Sequence, residues 1–267
     1  MQPILPRVFG GRATGLTLAA MPVSVVLIAV ALLSAACGGK SEEAPPPAAV
    51  TNPVDPATAG AITGVVKFEG KAPAAQPITM DSDSYCEKQP RNTIESVVVG
   101  EGSGLQNVFV YVKDGLGNRV FPVPSTSVVL DQKGCRYAPH VLGVQVGQTL
   151  EIASSDDTLH NVHAVPQQNR EFNMAHQLAG IKHTHVFSTK EVMVPFKCDV
   201  HKWMNAFVGV LDHPFYAVTA GNGRFELKGL PPGTYTVEAW HEKLGTQTQT
   251  VTIGEKQTSD VAFTFKS

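Results

Sequence analysis

Short runs in which apolar and polar residues alternate follow one another along most of the chain beyond residue 60. Such alternation turns one face of a segment toward a core and the other toward water, which predicts β-strands. Many of the residues are β-branched or aromatic, and Gly, Pro, Asn or Asp separate the runs. The predicted strands cover residues 62–69, 107–113, 126–130, 141–152, 184–189, 192–197, 206–211, 224–228, 234–240, 248–253 and 260–265.

This density of short strands predicts an all-β protein built from sandwiches. The 24 glycines and 19 prolines among the 267 residues fit a chain with many tight turns. A helix is predicted for one segment, residues 171–180. The length allows two small domains, or one domain with an added module.

The beginning of the chain has the pattern of a targeting segment. Arg7 and Arg12 precede an apolar run at residues 22–33, and small residues follow that run. The run is short for a membrane span, so we predict a signal peptide over residues 1–36. A secreted protein, or an uncleaved anchor, would have a similar beginning.

The end of this segment reads L-S-A-A-C and resembles a bacterial lipobox, in which the cysteine, here Cys37, is lipidated. Ser34 departs from that pattern, which usually has Leu there. The resemblance implies a lipoprotein outside the cytoplasm, and Gly38, where inner-membrane lipoproteins carry Asp, mildly favours the outer membrane. Residues 37–60 are rich in Pro and Ala and predict a disordered tether between the lipid and the folded part.

Four cysteines occur in the chain, and the assignment of Cys37 to lipid leaves three, so one of these three must have a role other than a disulfide. With Cys37 assigned to lipid, Cys86, Cys135 and Cys198 remain for a compartment in which disulfides persist. Cys198 has histidines and a methionine beside it, so elimination predicts a disulfide between Cys86 and Cys135. A disulfide from Cys198 to either of the other two is the alternative, and it would leave no thiolate for a metal.

Residues 222–240 read N-G-R-F-E-L-K-G-L-P-P-G-T-Y-T-V-E-A-W and resemble the carboxypeptidase regulatory-like (transthyretin-like) sandwich. Strands missing from this C-terminal piece occur near the start of the folded part. We therefore predict one discontinuous sandwich formed by residues 61–119 and 214–267, interrupted by a domain over residues 120–213. Modules joined in a row are the alternative.

The middle segment resembles the cupredoxin family, the small blue copper proteins such as plastocyanin and amicyanin. It contains Y-A-P at 137–139, D-T-L-H-N ending at Asn161, and V-P-F-K-C-D-V-H-K-W-M ending at Met204. The resemblance implies a Greek-key sandwich and one type 1 copper ion. The implied ligands are His160, Cys198, His201 and Met204.

Copper changes its oxidation state with little rearrangement in such a donor set, because two imidazoles, a thiolate and a weak thioether suit both states acceptably. The resemblance gives Asn161 the role of linking the two ligand loops through hydrogen bonds. His163 is the alternative to His160 as first ligand. His201 is expected to be the ligand that faces solvent.

Other residues near the site suggest contacts with partners. Trp203 is expected to cover the site or to dock a redox protein, and Lys202 and Lys197 would suit an acidic partner. A further stretch contains Met174, His176, His183 and His185; we interpret it as a solvated loop or, alternatively, as a surface that loads copper.

The leading functional hypothesis is transfer of single electrons between redox proteins, with no enzymatic activity. A copper-delivery lipoprotein is the first alternative, and a non-redox adhesion or carbohydrate-binding sandwich is the second. The near-neutral net charge of -2 gives no support for nucleic acid as a partner. Motifs of hydrolases and phosphate-binding enzymes are not recognisable in the sequence.

Overall fold

The computed structural model describes residues 53–90 and 92–266, and the regular structure in this part of the chain is almost entirely β-strand. Cys86–Lys88 and Glu101–Ser103 form short 3-10 turns. The strands are β1 (Gly60–Glu69), β2 (Phe109–Asp114), β3 (Val128–Gln132), β4 (Tyr137–Ala138), β5 (Val141–Gln145), β6 (Thr149–Ser154), β7 (His160–Ala164), β8 (Phe172–His176), β9 (Lys182–Val186), β10 (Glu191–Lys197), β11 (Asn205–Leu211), β12 (Tyr216–Val218), β13 (Arg224–Leu230), β14 (Gly233–His241), β15 (Gly245–Ile253) and β16 (Thr258–Lys266).

One sandwich, called here the terminal sandwich, combines strands from both ends of the described chain. Its sheets have the strand orders β13-β1-β16 and β12-β2-β14-β15. β1 pairs antiparallel with β13 and parallel with β16. Apolar side chains of both sheets, among them Ile62, Val110 and Phe263, form the core between them.

The second sandwich, called here the central sandwich, is formed by the chain between those strands. Its sheets have the orders β5-β11-β10-β7-β8 and β4-β3-β6-β9. Leu130, Ile152, Val162 and Val208 are fully buried between the two sheets. The strands β8 and β9 are consecutive in the chain and lie at the edges of different sheets.

The two sandwiches meet through aromatic side chains that pack on glycines. Phe109 of β2 and Tyr216 of β12 belong to a separate buried cluster between the sandwiches. A Cβ atom at Gly209 of β11 would lie 2.3 Å from the ring of Phe109, and one at Gly143 of β5 would lie 2.2 Å from the ring of Tyr216. The absence of a side chain at these glycines therefore allows the sandwiches to approach each other.

The all-β class predicted from the sequence is confirmed, and the single predicted helix is wrong. Residues 172–176 form β8, which pairs antiparallel with β7. The segment alternates inward and outward side chains, and its pairing with a neighbouring strand outweighs its local helical preference. The predicted strand at 141–152 is divided into β5 and β6 by a turn at Gly147, where φ is +84°.

The predicted signal peptide, Cys37 and most of the predicted tether lie outside the described residues. Residues 53–60, the last part of that tether, adopt a turn and the beginning of β1. Asp55 organises the turn by accepting a hydrogen bond from the amide of Ala57. No helix in the described part of the chain is long and apolar enough to cross a membrane.

Candidate metal centre

Two loops at one end of the central sandwich bring the candidate ligands together. His160 is the first residue of β7, whereas Cys198 directly follows β10. The chain then turns sharply, with the amide of Met204 bonded to the carbonyl of His201 and the amide of Cys198 bonded to the carbonyl of Met204. The close spacing of Cys198, His201 and Met204 is thus the spacing of one tight loop between β10 and β11.

Three of the four predicted ligands have their donor atoms close together. A nitrogen of His160, the sulfur of Cys198 and a nitrogen of His201 all lie within 4.8 Å of one another, and all three residues are buried. The Nδ1 atoms of the two histidines are 2.9 Å apart. Cys198 is the free cysteine of the described part of the chain. These three side chains could hold a metal ion.

Met204 is almost completely buried and belongs to the same core cluster as Cys198. His163 stands apart from the three converging side chains. It is half-buried, and its two ring nitrogens contact Asp199 at 2.8 Å and Glu171 at 2.7 Å. The geometry therefore brings His160, rather than the alternative His163, to the cysteine.

Hydrogen bonds within the site set its charge. Burial alone would raise the pKa of the Cys198 thiol, but bonds with His160 and His201 lower it to about 6. Burial alone would lower the pKa of His160, but bonds with Asp156 and Cys198 raise it to about 9. The site therefore favours a thiolate, which is the form of cysteine that binds metals.

Asn161 ties the two ligand loops together, as the family resemblance implies. Its Oδ1 accepts a hydrogen bond of 2.7 Å from the amide of Asp199 and lies 3.3 Å from the sulfur of Cys198. Its Nδ2 donates to Asn173 and to the carboxylate of Asp199. Asn161 follows His160 directly, so these bonds fix the first ligand loop relative to the second.

Two aspartates that the sequence analysis missed hold the outer nitrogens of the ligand histidines. Asp156 Oδ2 lies 3.0 Å from Nε2 of His160, and Asp83 Oδ2 lies 3.3 Å from Nε2 of His201. Each ring thus presents Nδ1 to the centre and Nε2 to a carboxylate. The i,i+4 spacing between Asp156 and His160 could have indicated this contact from the sequence. Asp83 is 118 residues from His201, so no local pattern in the sequence connects the two.

The structure contains the predicted disulfide between Cys86 and Cys135, and this bond secures a cap over the site. We call residues 80–88 the cap. Within it, Asp83 accepts bonds from the amides of Tyr85 and Cys86. The Tyr85 hydroxyl donates to Asp156 at 3.3 Å. The cap therefore supplies the carboxylate that contacts His201 and also binds the carboxylate that contacts His160.

The cap overturns the expectation that His201 faces solvent. His201 is only 2% exposed, and its Nε2 lies 3.8 Å from the sulfur of Cys86. The sequence could not reveal this burial, because the cap comes from a segment more than a hundred residues away in the chain.

The predicted docking residues lie at the rim of the site. Trp203 is half-buried, its ring centroid is 4.9 Å from that of His201, and its Nε1 donates to the carbonyl of Cys135. Lys202 is exposed. Lys197 is also exposed and forms an ion pair with Asp199 at 3.4 Å, which offsets its charge.

Comparison with protein families found that the model of the carboxypeptidase regulatory-like domain matches residues 204–266. The match includes β11 and therefore begins inside the predicted copper domain. It covers less than half of the chain. No curated protein was found to match the sequence.

Solved structures similar to the chain include several copper proteins. A copper-containing nitrite reductase from Thermus scotoductus SA-01 is 17% identical with a TM-score of 0.32, and the alignment covers 38% of this chain and 26% of that chain. A Cu(I) amicyanin variant is 22% identical with a TM-score of 0.29, covering 33% of this chain and 85% of that one. A purple cupredoxin from Nitrosopumilus maritimus is 21% identical with a TM-score of 0.27, covering 32% and 99%.

Proposed function

We propose that His160, Cys198, His201 and Met204 hold one type 1 copper ion and that the protein transfers single electrons outside the cytoplasm. The observation that carries this proposal is the convergence of a buried thiol and two buried imidazoles within 4.8 Å. Nitrogen and soft sulfur donors together are the set that copper prefers in both oxidation states. A bound copper ion would supply one-electron chemistry by alternating between Cu(II) and Cu(I).

The residues around the donors support a site that changes little during electron transfer. Asn161 and the two aspartates hold the ligand loops and the ligand rings in place. The cap excludes water from His201. A rigid site with fixed donors needs little reorganisation when its charge changes, which favours fast electron exchange.

Because His201 lies beneath the cap, we propose that partners approach at Trp203 instead. Its ring centroid is 4.9 Å from that of His201, with the two planes tilted by 35°, and the ring is itself partly accessible, so it joins the site to the surface. The lining of a small cavity beside it includes Ile78, Ile94 and Trp203, the exposed Lys202, and an ion pair between Arg136 and Glu95. Because that pair offsets its own charge, the cavity has a net positive charge from Lys202, which suits a redox protein with an acidic rim.

The state of the cysteines favours this function over the adhesion alternative. That alternative needs Cys198 in a disulfide, whereas Cys198 is free and the bond joins Cys86 to Cys135. Copper delivery from the same site requires a readily exchangeable ion, and the cap opposes exchange. The lipid anchor at Cys37 and the location at a bacterial membrane stay part of the proposal.

Voltammetry of the copper-loaded full-length chain tests electron transfer. We expect a reversible wave of one electron per chain that is lost in Cys198→Ser and in His160→Gln. His163→Gln is the matched control, because it removes a histidine of the same strand that contacts Asp199 and Glu171. A wave that survives in Cys198→Ser, or that only His163→Gln removes, would contradict the assigned ligands.

A further inference from the structure

A second cluster of nitrogen and sulfur side chains lies between the edge strands β8 and β9. Alternate residues of β8 point inward, among them Met174, which is half-buried, and His176, which is fully buried. His183 and His185 alternate in the same way on β9 and are half-buried. The opposite faces carry exposed residues such as Thr184, so the donors are gathered on the side where the two sheets face each other.

The closest contact in this cluster joins two imidazoles. Nε2 of His176 lies 2.8 Å from Nδ1 of His183, about as close as the facing nitrogens of His160 and His201. Two ring nitrogens at this distance share one proton, and a metal ion can take the place of that proton when the rings move apart to admit it. Met174 is two residues before His176 on the same face of β8, so that face carries a thioether as well as an imidazole.

The buried amide of Gln132 contacts the pair and can either donate to Nδ1 of His176 or, after rotation, accept from it. Nε2 of Gln132 lies 2.6 Å from Nδ1 of His176 and is also bonded to the carbonyl of Ala153. Gln132 is fully buried, and its Oε1 has no hydrogen-bond partner within the described structure. A half-turn of the amide would give up the bond to Ala153 and let Oε1 accept a proton on Nδ1, which frees Nε2 of His176 to bind a metal.

We propose that His176 and His183 form a second metal site and that it binds Cu(I) with Met174 as a soft neighbour. This site shares no donor with the centre at Cys198 but lies next to it, because His176 pairs with His160 across β7 and β8. Cu(I) accepts two or three nitrogen and thioether donors, whereas hard cations prefer the oxygen donors that this pair lacks. Imidazole also suits Zn(II), so the thioether is the feature that favours Cu(I). The alternative to a metal site is a structural pair of histidines joined only by their hydrogen bond.

The position of the pair allows exchange with the solvent. β8 and β9 are edge strands, and residues 177–180 of the loop between them are exposed. Within residues 53–90 and 92–266, no disulfide or cap covers His183, in contrast to His201. A readily exchanged ion here would complement a tightly held ion at Cys198. The protein would then bind copper at a second site in addition to transferring electrons through the first.

Anaerobic titration of the tag-free full-length chain with Cu(I), in competition with a chromogenic Cu(I) chelator, tests the proposal. In a Cys198→Ser/His201→Gln background, which removes the thiolate and one of the two imidazoles of the first site, we expect one remaining equivalent of Cu(I). Adding His183→Ala should weaken that binding at least tenfold, and so should the milder His183→Gln. Thr184→Ala is the matched control, because it lies on the exposed face of the same strand and should change nothing.

The outcomes separate this proposal from the function of the first site. Two results together would support it: the remaining equivalent is lost when His183→Ala is added to the Cys198→Ser/His201→Gln chain, and the visible absorption of the Cys198 centre is unchanged in the single variant His183→Ala. No remaining equivalent in the Cys198→Ser/His201→Gln chain, or an equivalent insensitive to both His183 variants, would overturn it. Binding of Zn(II) in preference to Cu(I) would overturn the cuprous assignment.

Discussion

The ligand histidines are each fixed at both ring nitrogens, and this is the most specific feature at the scale of single residues. The inner nitrogens of His160 and His201 face each other at 2.9 Å, while the outer ones contact Asp156 and Asp83. A carboxylate at the outer nitrogen orients the ring and makes it more electron-rich. The same carboxylates accept amide hydrogens from the two sides of the disulfide, so ligand orientation depends on the cap.

Asp156→Asn should therefore raise the reduction potential of the copper-loaded protein, because the carboxylate favours the more positive Cu(II) state. The expected change corresponds to about 1.5–3 kcal/mol, the contribution of one hydrogen bond to a charged group. Voltammetry measures it, and Asp157→Asn, an exposed neighbour, is the control. An unchanged potential in Asp156→Asn would show that this contact does not tune the site.

A buried histidine far from the centre gives a prediction for acid stability. Burial lowers the pKa of His213 to about 4, and its ring is satisfied as a neutral group by the carbonyl of Val112 and the amide of Phe215. The unfolded chain takes up a proton near pH 6.5, whereas the folded chain resists it until about pH 4. The contribution of His213 to the free energy of unfolding is therefore fully present above about pH 6.5 and is lost as the pH falls toward 4.

Chemical denaturation of the copper-free chain should show this loss. His213 alone accounts for about 2 kcal/mol between pH 7.5 and pH 5. His213→Gln should show a smaller decrease over the same range, since its side chain can still donate to Val112 but does not titrate. An equal decrease in both proteins would mean that other groups cause the acid sensitivity.

At the scale of elements, the cap determines how much of the site is accessible to solvent. Residues 80–88 are not a strand; they are held by the disulfide, by Asp83 and by the packing of Met80 and Trp203 around the two cysteines. Since Cys86 and Cys135 are 49 residues apart in sequence, their bond also closes a long loop and stabilises the fold by about 2–4 kcal/mol.

Cys86→Ala combined with Cys135→Ala should accelerate removal of copper by an external chelator at least tenfold, because the cap is then free to leave His201. Stopped-flow measurement of the absorption decay records the rate. Circular dichroism at the same temperature checks that the double variant is folded. A folded double variant that releases copper at the wild-type rate would show that the cap does not retain the ion.

The elements that the sequence revealed are those with strong local patterns. Alternating runs predicted most strands to within a few residues, and C-x2-H-x2-M grouped three of the predicted ligands on one loop. Residues 172–176 were misassigned because their strand character depends on pairing with β7. Asp83 and the burial of His201 depend on a contact between distant segments, which local pattern does not contain.

At the scale of the whole molecule, the pairing of strands supports a discontinuous sandwich. β1 and β2 form sheets with β12 to β16, whereas β3 to β11 form the central sandwich. The boundaries at residues 119 and 213 stay a prediction. The strands β12 and β5 lie against each other at the junction, so the two sandwiches share a buried apolar surface.

Gly209→Ala should weaken this junction. The added Cβ would overlap the ring of Phe109, and overpacking of this kind costs about 1–3 kcal/mol. Gly221→Ala is the matched control, because the nearest atom to its Cβ is the side-chain oxygen of Gln106 at 3.7 Å. Thermal unfolding measures both variants, and equal stability would show that Phe109 can move aside.

The central claim, a thiolate–copper centre at Cys198, is tested most directly by the visible absorption and EPR spectra of the oxidised, copper-loaded protein. We predict an intense band near ~600 nm and a narrow copper hyperfine splitting, both lost in Cys198→Ser, since a thiolate bound to Cu(II) gives these signatures. Cu(II) bound with no such band, or the same spectrum in Cys198→Ser, would contradict the account.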